Sequence, residues 1–184
     1  MLTQLSEWFY RHATGRRILT LFALLLLFLL GIAPLAAELF PESTNGTSLD
    51  APVAYAPEQV FAILDSWGAA GRRYQLFFHF TWDLAVPVLG LLFLGFTLSW
   101  LFRRAFPPAS KMRLLNLAAL ACGFDLLENV FIASLIVTYP ARIEALAWLK
   151  AACTVTKYAF GPVLIALLVG GLALAARNRF KVMD

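Results

Sequence analysis

Gly123-Phe124-Asp125-Leu126-Leu127-Glu128-Asn129 sets two carboxylates and an amide in the middle of an apolar run from Leu114 to Tyr139. A run of that length crosses a bilayer as a helix, since about 20 apolar residues suffice. Read as one α-helix, it holds these polar groups about 15 to 20 Å from either end, at a 1.5 Å rise per residue. Ionisable side chains at that depth are costly and mark function. This stretch decides the fold class, an all-α integral membrane protein, and marks where the chain acts.

Working outward, the composition agrees. The 184 residues are 61% hydrophobic and 14% charged, where an average soluble domain is about 25% charged. Mean hydropathy is +0.76. Four transmembrane spans are expected, at about 18–37, 74–102, 114–139 and 143–176, in a single membrane domain covering 1–184. They predict a four-transmembrane-helix bundle with short interfacial amphipathic helices. The net charge of +4 does not indicate nucleic acid, because most Lys and Arg residues flank apolar segments. Cys122 and Cys153 fall inside apolar spans and read as small hydrophobes.

Before the first span, residues 3–14 repeat Leu5, Trp8 and Phe9 at helical spacing and predict a surface helix ending at Gly15. The first span has a basic flank, Arg16-Arg17, and small residues at Ala36 and Ala37, as a signal peptide does. Its apolar stretch is too long for a signal core, and Leu35 spoils the cleavage pattern. Pro34 predicts a kink in it. Residues 38–73 form the outward segment, punctuated by Pro41, Asn45-Gly46, Pro52 and Pro57. Asn45-Gly46-Thr47 is a glycosylation sequon. From Pro57 to Trp67, Val60, Phe61, Leu64 and Trp67 make one apolar face, with Glu58 and Asp65 opposite. An interfacial helix is the simpler reading and a lid over a pocket the sharper one.

Ten of the fifteen Lys and Arg residues lie in the N-terminal arm, the 103–113 turn and the tail; three lie on the other side. The positive-inside rule then puts both termini in the cytoplasm and the acidic segment outside. The expected location is a bacterial inner (plasma) membrane.

On this topology the polar groups share faces. His79 and Asp83 line one side of the second span, Asp125, Glu128 and Asn129 one side of the third, and Lys150, Thr154 and Lys157 one side of the fourth. Pro87 frees the carbonyl of Asp83, and Pro162 frees that of Tyr158, predicting kinks at the same level. The candidate ligand or ion pocket is therefore His79, Asp83, Asp125, Glu128, Asn129, Lys157 and Tyr158. Lys150 reads as closer to the surface. Asp83, Asp125 and Glu128 against Lys157 leave excess negative charge, which calls for a protonated carboxyl or a bound cation. Neutralising Asp83 or Glu128 should then leave the fold intact.

Three functions are carried forward. The first is binding or conducting a proton, a cation or a small amphipathic ligand. The second is a membrane enzyme using His79 and the carboxylates as acid and base on a lipid-like substrate. The third is a structural or accessory subunit in which Lys157 bridges Asp83 and Glu128. With only two histidines, no metal is expected, and no cofactor motif is present. The expected partners are the lipid bilayer, a small cationic or amphipathic ligand, and a second copy or a larger membrane complex, since four spans are few for a lone transporter. Four helices around a carboxylate-lined pocket resemble the architecture of membrane sterol-isomerase-like and sigma-2-receptor-like proteins; the resemblance carries no residue roles.

Overall fold

The computed structural model describes residues 1–32, 34–35, 48–51 and 54–180, apart from the side chain of Trp82. Ala36, Ala37, Pro41, the sequon at Asn45 and Pro52 lie outside the described residues. Among those described, every regular element is helical, and four helical stretches are long and apolar enough to cross a membrane. This is the signature of an integral membrane protein.

Helix α1 (Leu2–His12) is followed at once by α2 (Gly15–Leu27), where the Thr14 side chain accepts from the Arg17 N–H. A single π-helical turn, Phe28–Ile32, extends α2 just ahead of Pro34. Proline cannot donate to the carbonyl four residues back, and the backbone there has already left α geometry. Helix α1 does not merely lie on a surface. Phe9 and Ser6 are buried, and α1 docks on the elements that carry Phe96 and Asn116.

Helix α3 (Pro57–Ser66) starts with Pro57 in its first turn, and Gln59 Oε1 accepts from the Ala56 N–H at 2.9 Å. Its face of Val60, Phe61, Ile63, Leu64 and Trp67 packs on Ile132, Leu135 and Ala147. So α3 is seated on protein, and Asp65 fixes it there by accepting from Tyr139 Oη at 2.8 Å and pairing with Arg142 at 2.9 Å. Gly68, at a φ of +60°, ends α3; glycine takes that left-handed conformation without a Cβ penalty.

The second span departs from expectation in two ways. It begins at Gly68, well before Tyr74, and it is broken into α4 (Gly68–Phe80) and α5 (Trp82–Ala105) at Thr81. The kink expected at Pro87 is not the break; α5 runs through that residue. At Thr81 the hydroxyl donates to the Phe77 carbonyl at 2.7 Å and the N–H to the Phe78 carbonyl. A Thr hydroxyl bonded four residues back competes with the helix ladder.

The third span opens as a 3₁₀ helix, Lys111–Cys122, and becomes the α-helix α6, Gly123–Thr138, immediately before Asp125. Ser110 caps it, accepting from the Met112 N–H. Runs of 3₁₀ helix beyond three or four residues are uncommon and rise about 2.0 Å per residue. Asp125 and Glu128 are thereby pushed farther from the Lys111 end than an α-helix would carry them. The fourth, α7 (Glu144–Phe180), is continuous through Pro162. Helix α5 touches α1, α2, the 3₁₀ segment, α6 and α7, while α2 packs chiefly on α5.

Candidate functional site

Lys157 stands where three parts of the chain meet. Its Nζ is 2.6 Å from Asp50 Oδ1, 2.6 Å from Asp125 Oδ1 and 2.8 Å from Glu128 Oε2. Asp125 and Glu128 project from one face of α6, as their spacing of three requires. Asp50 comes from the irregular segment 48–51. Leu49, fully buried against α3, α6 and α7, anchors that strap, and the next side chain reaches the ammonium.

Glu128 is fully buried, with an ammonium beside each oxygen. Its Oε1 accepts from Thr154 Oγ1 at 2.5 Å and lies 3.0 Å from Lys150 Nζ, whose side chain is also fully buried. Lys150, which reads from sequence as closer to the membrane surface than Lys157, is enclosed by protein: α3 and the strap cover the start of α7. Asp83 does not share Lys157 with Glu128. It accepts from His79 Nδ1 at 3.0 Å, one turn back across the break at Thr81. Opposite an ionised Asp83, Nδ1 donates, and the buried Nε2 accepts in the neutral ring or donates in the protonated one. The Asp83 charge still acts on Asp50.

Lys150 Nζ and Glu128 Oε2 make ion pairs but no hydrogen bond, and two further groups of the site have neither. Asn129 is buried, and neither end of its amide has a hydrogen-bond partner among the described residues; the same holds for His79 Nε2. Unsatisfied buried polar atoms are rare and need an explanation such as a water, an ion or a ligand. Tyr158 does not enter the network; it is half exposed, its ring 5.4 Å from Lys157 Nζ, and it forms the rim. Sequence reasoning missed Asp50. Nothing periodic marks it, although it is the last residue before Ala51-Pro52.

Burial raises the Asp50 carboxyl to about 6 against the pull of the Lys157 ammonium, and the neighbouring Asp83 and Glu128 charges add to the rise. Counting Asp50, Asp83, Asp125 and Glu128 against Lys150 and Lys157, negative charge exceeds positive even with His79 protonated. Oxygens of Asp50, Asp125 and Glu128 lie within 4.8 Å of one another. Three converging carboxylates are the donor set a hard cation takes, and here an ammonium fills the centre.

The helices also set the distance of this network from the basic ends. Lys157 lies twenty residues before Arg177 on α7, and Asp83 twenty before Arg103 on α5. Each separation is about 30 Å along an α-helix, which is the full thickness of a bilayer core. Placing the basic ends at one face of a bilayer core would put the ion pairs near the other face.

The fold and the ion pairs together define a polytopic helical membrane protein with a lysine held among carboxylates under a helical cover. Comparison with protein-family models, curated proteins and solved structures finds no match for this chain.

Proposed function

We propose that this protein binds a cation, either a proton or a small ammonium-bearing amphipathic molecule, at the Asp50–Asp125–Glu128 site, in exchange for the Lys157 ammonium. The observation that carries this reading is the contact of Lys157 Nζ with three carboxylates at 2.6–2.8 Å, one of them on a strap outside the helices. A purely structural pair needs one partner and gains nothing from two more acids. Excess carboxylates keep a site that a competing cation can occupy when the lysine swings away.

On this reading the four spans form a bundle with both termini in the cytoplasm, as the basic ends favour. The site then opens toward the outer boundary beneath α3 and the strap. Irregular backbone at that level is tolerated only where protein or water covers it, and Leu49 provides such cover. A site at one boundary suits binding from the outside better than conduction through the bundle. The half-exposed Tyr158 at the rim fits an amphipathic occupant, since Tyr favours membrane interfaces.

The test is thermal unfolding in detergent with added sodium, methylammonium and an alkylammonium. Saturable stabilisation of the native chain, absent in Asp125→Asn, supports the reading; identical responses of the two proteins oppose it.

A second reading rests on His79. A buried imidazole oriented by Asp83, with Nε2 unpartnered, has the layout of a general base. It would act on a lipid-like substrate entering between α4 and α6. His79→Gln abolishing turnover of a lipid library without changing cation-induced stabilisation would favour this reading.

A further inference from the structure

At the opposite end of the molecule, α1 and the turn between α5 and the 3₁₀ helix enclose an open cleft of about 620 Å³. Its walls carry Arg11, Lys111 and Arg113, with Glu7 as the one acidic residue, so the lining is doubly positive. Among the described residues, none of the three cations forms an ion pair. Arg11 and Lys111 are exposed.

Arg113 is held in place and left unsatisfied. Its guanidinium lies 4.2 Å from the centroid of the Tyr10 ring, and Tyr10 Oη donates to the Arg113 carbonyl at 2.8 Å. Its Nε is buried without an acceptor, and its Nη1 reaches only Pro108 O, at 3.5 Å. A planar guanidinium with free donors, fixed on an aromatic face, is preorganised for the oxygens of a phosphate or carboxylate.

The setting selects among anions. The cleft sits where α1 ends just before the first span and where the second span gives way to the third. This is the level of phospholipid headgroups, and basic pockets there hold anionic lipids. Exposed Met112, Leu114 and Leu115 continue from the cleft onto the apolar flank. We propose that this cleft binds a phosphodiester group, with an anionic phospholipid headgroup as its occupant: the phosphate on Arg113, with Arg11 and Lys111 at the mouth.

The experiment uses the full chain in detergent, with phosphatidylglycerol, phosphatidylcholine and inorganic phosphate as probes and binding read by lipid-dependent melting. Phosphatidylglycerol is expected to bind more tightly than phosphatidylcholine, which carries the same phosphate without net charge. The Arg11→Gln/Lys111→Gln double variant changes two exposed side chains and so keeps the fold; it is expected to lose about fivefold in phosphatidylglycerol affinity per charge removed. Competition by inorganic phosphate at matched ionic strength would assign the site to free phosphate, with the same chemistry. Equal binding of the two lipids, or equal phosphatidylglycerol binding by native and double-variant protein, would overturn the proposal. Arg113→Lys gives a further reading: it retains charge but not the planar fork, and weakened binding with an unchanged lipid-free melting temperature is the expected result.

Discussion

Asp50 and Lys157 are 107 residues apart in sequence and 2.6 Å apart in space. That contact ties an irregular strap to the longest helix, and it binds the cover to the ion pairs beneath. The same lysine holds Asp125 and Glu128, so anything that moves it changes the cover and the site together.

The strap is pH-sensitive in a direction that can be worked out. Asp50 titrates at about 6 in the folded protein, above the usual carboxylate value of about 3.9. Between those two values the folded state holds a proton that the unfolded chain has released, so stability falls as pH rises through this window and the loss is complete above about 6. Asp50→Asn removes the penalty. The expected result is a higher melting temperature than native at pH 8 and no difference at pH 4.

Lys157→Met removes one cation from three carboxylates. Breaking a buried pair by deleting one partner costs about 3–5 kcal/mol, and the melting temperature in detergent should drop accordingly. Adding Asp50→Asn and Asp125→Asn to the same chain should recover a large part of the loss, because the charges left without a partner are gone.

The partners of Glu128 change what its neutralisation should do. Under a binding reading of the sequence, neutralising it is expected to leave the fold intact, yet among the described residues it is the carboxylate that meets the fully buried Lys150. Glu128→Gln leaves that ammonium without a counter-charge and should destabilise by about 3–5 kcal/mol. Lys150→Met should be milder in the presence of Lys157. A double-mutant cycle between Lys150 and Glu128 in chemical unfolding is expected to show coupling at the upper end of the usual range, about 2–3 kcal/mol.

Helix α1 is locked by one asparagine. Asn116 is fully buried, accepts from Ser6 Oγ at 2.8 Å, and donates to the Ser6 carbonyl at 3.2 Å and to Ser99 Oγ at 2.8 Å. Asn116→Ala strands these groups at about 1–3 kcal/mol for each left unsatisfied. Hydrogen exchange should show faster exchange in α1 with α6 and α7 unchanged.

How much of this was legible from sequence depends on periodicity. Asp125 with Glu128, His79 with Asp83, and Lys157 on the facing helix are readable because residues three or four apart share a face. Asp50 is not, since a segment broken by Pro41, Asn45-Gly46 and Pro52 has no repeat to say which side chain turns inward. The 3₁₀ segment is equally hidden: Leu114 to Cys122 is apolar under either helix type, and only the rise differs. That difference, with a fourth helix longer than a bilayer is thick, means that counting residues from the span ends does not fix the depth of the carboxylates. The break at Thr81 was masked by Pro87, the stronger breaker by rule, which the helix absorbs.

The most direct test of cation exchange at Lys157 is proton release. Purified protein in weak buffer near pH 6, where Asp50 is about half protonated, is titrated with sodium, methylammonium and an alkylammonium while a pH-indicator dye reports released protons. A cation that enters among the carboxylates favours their ionised form, so one of the three should drive saturable release in native protein, diminished in Asp50→Asn and absent in Asp125→Asn. Release that does not saturate with any of them, or that is the same in all three proteins, would contradict a cation site there.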